Sequence, residues 1–163
     1  MDTCTLIILA VFVVFCVIAG IVIYKKQQKL LSEGKIVKRA GGFYGMAEEF
    51  TLRHVAPEEV RQGVEAFSLS SMGVKAAYSQ NPLDISFAAS WTARLKETSS
   101  EEESSVYTFE FTSWSCSGKT SIPKGVTDMN QLLTAVEKLF LQLDPETKVR
   151  TYPIKTKTKH SFF

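Results

Sequence analysis

The sequence predicts an α+β domain carried behind one membrane-spanning helix. Three observations predict it: an uncharged apolar run near the N-terminus, stretches of strict apolar and polar alternation mid-chain, and two amphipathic stretches of helical period that bracket them. Helices placed before and after a run of strands, rather than after every strand, favour an antiparallel sheet with both helices on one face. The expected order is strand, helix, three strands, helix, strand.

The apolar run "TLIILAVFVVFCVIAGIVIY", from Thr5 to Tyr24, holds twenty residues without a charge. Crossing a hydrocarbon core of about 30 Å takes about that many at 1.5 Å per residue. A cleaved secretory signal would instead carry Lys or Arg ahead of a shorter run and end in a small-x-small site. Only Asp2 is charged before the run, and Phe15 precedes Cys16 where a lipoprotein signal needs a small residue. The reading is an uncleaved signal-anchor. Lys25, Lys26, Lys29, Lys35, Lys38 and Arg39 follow it, opposed by Glu33 alone. The positive-inside rule therefore expects a single-pass protein of the cell membrane, with its N-terminus outside and its C-terminal domain cytoplasmic. Lys25, Lys26 and Lys29 stand where they would meet lipid headgroups. Of the cysteines Cys4, Cys16 and Cys116, only the last lies beyond the span, so no disulfide can staple the domain internally.

Residues 1–24 are thus read as a short N-terminus and anchor, 25–43 as a basic linker, and 44–163 as the soluble domain with a basic tail. "KKQQKLLSEGK" continues the helix until Gly34 interrupts it, and Gly41-Gly42 ends the linker. Phe50 and Leu52 alternate with Thr51 and Arg53. "APEEVRQGVEAF" places Pro57 at the first helical position, Glu58 and Glu59 in the first turn, and Val60, Val64 and Phe67 on one face. Val74, Ala76 and Tyr78 make a short strand ended by Asn81-Pro82. Ile85 to Lys96 alternates throughout and reads as one strand. Val106 to Trp114 follows, with Tyr107, Phe109 and Phe111 on one face. Between these two, the polar segment from Glu97 to Ser105 reads as a flexible hairpin loop. Met129, Leu132, Leu133, Val136, Leu139, Phe140 and Leu143 keep helical spacing, with Thr127 or Asp128 as cap and Asp144-Pro145 as stop. "KVRTYPIKTK" suggests an edge strand, because Pro153 cannot donate within a central ladder.

The tripeptide Gly118-Lys119-Thr120 ends a phosphate-binding P-loop in other chains. Here Ser113 stands where that loop needs its first Gly, and Ser121-Ile122-Pro123 follows where it needs a helix. Nucleotide binding is not expected. Cys116 with His54 as its base would be a nucleophilic pair, but no third group or signature accompanies them, and both read more simply as strand-end residues. Two histidines and scattered cysteines do not supply a metal's ligands. No catalytic residue, metal or cofactor is expected, and the chain is not read as an enzyme.

Charge is segregated. Residues 25–39 and 148–160 each carry a net +5, whereas residues 48–147 carry a net −7. An acidic folded part disfavours nucleic acid. Lys155, Lys157 and Lys159 alternate with threonines and share one face of an extended tail; they guard a sheet edge or touch an anionic leaflet. The expected partners are the bilayer, through the helix, and an unidentified protein. The expected function is a membrane-tethered α+β binding module for protein–protein interaction. Its alternative is an apolar small molecule or lipid held between sheet and C-terminal helix, by Phe87, Trp91, Phe109, Phe111, Leu133 and Phe140. These six also read as plain core.

Overall fold

The computed structural model describes residues 3–80, 83–101, 103–117, 121–155 and 157–161. The chain divides into two compact units, residues 1–38 and residues 39–163. Asn81-Pro82, Glu102, Gly118-Lys119-Thr120, Thr156 and Phe162-Phe163 lie outside the described residues.

The first unit is helix α1, Thr3–Ser32. Its most apolar stretch has a mean hydropathy of 3.5, and the helix is long and apolar enough to cross a membrane. Leu6, Phe12, Phe15, Ile21 and Tyr24 each leave half or more of their surface uncovered. Gly34 ends the helix in the left-handed region at φ 65°, where a side chain would be strained. The Lys35 N–H then returns to the Leu30 carbonyl at 2.8 Å, closing the last turn.

The second unit is an α+β domain. Its elements are β1 (Met46–Arg53), α2 (Pro57–Glu65), β2 (Lys75–Gln80), β3 (Leu83–Ala88), β4 (Trp91–Ser100), β5 (Ser104–Ser117), α3 (Val126–Leu143), β6 (Lys148–Pro153) and β7 (Lys157–Ser161). The sheet order is β2-β3-β4-β5-β1-β6, antiparallel throughout, and β7 joins β5 in parallel. Four strands, not three, therefore lie between α2 and α3. Ile85 to Lys96 is a hairpin rather than one strand, turning at Ala89-Ser90. Its register pairs Ile85 with Leu95 and Phe87 with Ala93, so odd-numbered residues face odd-numbered residues across the turn. Alternation passes through unbroken, and no Gly, Pro or Asn marks the bend.

Most of the described residues between Glu97 and Ser105 are strand rather than loop. Strands β4 and β5 run almost to the hairpin tip, and Glu101 and Ser104 exchange backbone hydrogen bonds at 2.8 and 3.3 Å. Helix α3 starts behind Gly125, at φ 74°, rather than behind Thr127 or Asp128. Past the N-terminal end of β1, β7 takes the vacated edge of β5. Ser113 to Ser117 pair with Lys157 to Ser161, whereas β1 pairs with residues 104–110 of the same strand.

One face of the sheet carries the core. Phe50 and Leu52 of β1, Tyr107, Phe109 and Phe111 of β5, Trp91, Ala93 and Leu95 of β4, and Ile85 and Phe87 of β3 share it. They pack against Val60 and Val64 of α2 and against Met129, Leu132, Val136 and Phe140 of α3. Phe140 anchors the helix, its ring 4.5 Å from Phe50 and 5.5 Å from Tyr107, centroid to centroid. The two helices approach closely at Gly63, where a Cβ would stand 2.2 Å from a Leu139 methyl. The opposite sheet face is polar: Arg94 pairs with Asp84, and Thr92 shares hydroxyl hydrogen bonds of 2.7 Å with Thr112 and Ser113.

Candidate functional site

The six residues named as core or pocket resolve geometrically. Phe87, Trp91, Phe109, Phe111, Leu133 and Phe140 are each at most 2% exposed and belong to one packed cluster. Two clefts of about 280 Å³ lie at the domain surface, and none of the six lines either one.

Cys116 and His54 are kept apart. Cys116 is buried near the C-terminal end of β5, while His54 follows Arg53, which pairs with Ser104 at the other end of that strand. Twelve residues of strand at about 3.3 Å each set them roughly 40 Å apart. His54 adopts φ 54°, rare for a residue with a side chain, and lines the cleft beneath the β4–β5 turn with Ala56, Glu101 and Glu103. Of the P-loop-like stretch, Ser113 sits within β5, Cys116 forms a bridge to Pro123, and α3 begins only at Val126.

The thirty-residue α1 contains Thr5 to Tyr24 and continues through Lys25, Lys26 and Lys29. Lys29 and Lys35 approach the Glu33 carboxylate at 3.8 and 2.8 Å. Together they hold that carboxyl below its ordinary range, the Lys35 hydrogen bond foremost. Lys155 is exposed after β6; Lys157 and Lys159 register with Ser113 and Ser115.

The densest polar constellation was not legible as a site. Arg39 opens the second unit, and the turn at Gly41-Gly42 folds it back over the domain, with Gly42 at φ 82°. Its Nε donates to Asn130 Oδ1 at 2.9 Å and its Nη1 to Glu137 Oε1 at 2.9 Å. Its Nη2 bonds Glu137 Oε2 and, at 3.3 Å, Thr134 Oγ1. Glu48 Oε1 lies 3.6 Å from Nη1. Asn130, Thr134 and Glu137 stand four and three residues apart, so they form one stripe of α3 beside its apolar face. Glu48 shares the inward parity of Phe50 and Leu52. The Arg39 side chain is 11% exposed and that of Glu48 10%.

A guanidinium facing two carboxylates leaves one negative charge in excess. Burial pushes the Glu48 carboxyl up, the neighbouring Glu137 charge pushes it further, and Arg39 opposes both; the outcome is about 7. The cluster therefore retains a proton near neutrality. The Arg39 donors are met by Asn130, Thr134 and Glu137, while Glu48 Oε2 is buried without a hydrogen-bond partner among the described residues; chemically the cluster is a clasp that fixes residue 39 to α3 and β1. Beside it, Phe43 sets its edge against Phe111 at 6.2 Å and Tyr44 against Trp114 at 5.0 Å. Phe43 and Tyr44, with Ile122 and Val126, line the second cleft.

At the far end of α3, Asp144 accepts the Arg53 N–H at 2.8 Å and the Glu146 N–H at 2.9 Å, which lowers its pKa and ties the helix end to β1. Among the described residues, no group of three or more His, Cys, Asp or Glu is arranged to hold a metal ion. No protein-family model matches the chain, and no curated protein is significantly similar to it in sequence.

Proposed function

We propose that this is a single-pass membrane protein whose N-terminal helix tethers a compact cytoplasmic α+β module that docks a protein partner. The observation that carries the reading is the pairing, in one chain, of an exposed apolar helix of membrane-spanning length with a separate, fully cored unit. An exposed run of this kind is costly in water and stable in lipid. Lys25, Lys26, Lys29, Lys35 and Lys38 supply the basic flank that favours a cytoplasmic domain. Arg39 adds nothing to that flank, because Glu48 and Glu137 neutralise it within the domain. The closed packing of Phe87, Trp91, Phe109, Phe111, Leu133 and Phe140 favours docking on the surface over an apolar ligand between sheet and helix. A tethered module searches near the bilayer in two dimensions, which raises its effective concentration for partners there.

Alkaline carbonate extraction combined with crosslinking tests both halves. The full-length 18.2 kDa chain is expected in the membrane pellet, carrying protein adducts whose crosslinked positions fall within residues 39–163. Recovery of a shortened chain in the supernatant would contradict the anchor. Crosslinks confined to lipid would contradict the module.

A further inference from the structure

The β1–β6 ladder leaves a defined set of backbone groups open. Met46 pairs with Pro153, and the next pair out, Gly45 with Ile154, is hydrogen-bonded through the Ile154 N–H at 3.0 Å. Bonded and non-bonded pairs alternate in an antiparallel ladder. Tyr152, Arg150 and Lys148 therefore bond to Ala47, Glu49 and Thr51, while Val149, Thr151 and Pro153 turn their backbone groups to the outer edge. Pro153 sits where its missing N–H costs the ladder nothing. Strand β6 ends the sheet order, so among the described residues the N–H groups of Val149 and Thr151 and the carbonyls of Val149, Thr151 and Pro153 face no further strand.

We infer that this edge accepts an added strand from a partner protein, an extended segment in which acidic residues alternate with apolar ones. The inference rests on the module reading above and names its surface. Backbone pairing gives the attachment, and alternate side chains give the choice. Lys148 and Arg150 share the outer face and are exposed, and Glu49 is the acid in register opposite Arg150 there. Lys148 and Arg150 are the charged side chains of β6, both basic, so an added strand meets positive charge on that face. On the other face Val149 is 49% exposed and offers apolar contact. A second copy fits less well. Antiparallel pairing about Arg150 sets two guanidiniums opposite each other, and pairing about Val149 sets Lys148 against Arg150; like charges directly opposed are destabilising. Pairing about Thr151 sets Val149 opposite Pro153, which has no N–H to donate, so that register loses a hydrogen bond at each end.

The test uses the full chain in uncharged detergent micelles and two labelled hexapeptides, alternating Val-Glu and alternating Val-Lys. Fluorescence anisotropy should show binding of the Val-Glu peptide, weakening with salt, and none of the Val-Lys peptide. Amide exchange at Val149 and Thr151 should slow at least about tenfold on binding, whereas Arg150, already bonded to β1, should change little. Thr151→Pro removes an outward donor without touching the β1 ladder and should abolish binding. Arg150→Glu keeps the backbone and should weaken the Val-Glu peptide, which covers the case in which the proline variant misfolds. Equal binding of both peptides, binding without protection at Val149 and Thr151, concentration-dependent dimers in place of binding, or no binding would each overturn the inference. If the membrane crosslinks to protein persist in Thr151→Pro, the edge is wrong and the module stands; if wild type gives no protein crosslinks, the module reading itself fails.

Discussion

Arg39→Ala is expected to lower the unfolding free energy of the domain by about 3–5 kcal/mol, the usual cost of removing one partner from a buried ion pair. The loss exceeds the value of the contacts themselves, because Glu48 and Glu137 stay behind, close together and largely out of water. The deficit should shrink in acid, where either carboxyl can take up a proton, and be full at pH 8. Lysine at position 39 should recover only part of it, since an ammonium cannot present the fork that reaches Asn130, Thr134 and both Glu137 oxygens. Replacing Arg39, Glu48 and Glu137 together by apolar residues should cost far less than Arg39→Ala, because no charge is then stranded. The measurement needs no truncation. Both tryptophans, Trp91 and Trp114, are buried in the second unit, so their fluorescence reports domain unfolding in the full chain held in micelles.

Glu48 gives the second large effect, as a dependence on pH. Its carboxyl sits near 7 in the folded domain against 4.5 when unfolded. Between those values the folded state binds more protons than the unfolded one, so stability falls as pH rises. Its contribution is fully present below pH 4.5, declines by about 3 kcal/mol through pH 7, and is level above. Glu48→Gln keeps the shape and removes the titration. Denaturant unfolding across pH 4.5 to 8 should therefore show a wild-type curve that descends relative to the variant, with the variant the more stable of the two at pH 8. Parallel curves would mean that Glu48 is solvated and ionised throughout.

Much of the fold is written in local pattern. Val60 and Val64, or Met129 to Phe140, reveal helix faces because burial follows a period the sequence repeats, and Tyr107, Phe109 and Phe111 reveal β5 in the same way. The hairpin at Ala89-Ser90 was hidden by the same logic, since its register preserved parity through the turn. The clasp was hidden for another reason. Arg39 stands 91, 95 and 98 residues from Asn130, Thr134 and Glu137, and no periodicity links them. In sequence Arg39 reads as one more positive charge behind an apolar helix; in the fold it is an internal group. One signal was present: extending the inward parity of Phe50 and Leu52 back two residues places a carboxylate in the core, and a buried carboxylate calls for a cation. The outward groups of β6 were half legible, because Pro153 marked an edge while the register that exposes Val149 and Thr151 required the β1 ladder.

The side of the membrane on which the domain stands is tested most directly by a single cysteine at its exposed tip. The full-length chain would carry Glu101→Cys, with Cys4→Ser, Cys16→Ser and Cys116→Ala to remove other thiols; Glu101 is exposed in the β4–β5 turn. A membrane-impermeant maleimide should leave this cysteine unlabelled in intact cells and label it fully once the membrane is permeabilised, as expected for a cytoplasmic domain behind a basic flank. Ready labelling in intact cells would place the domain outside and contradict the proposed tether.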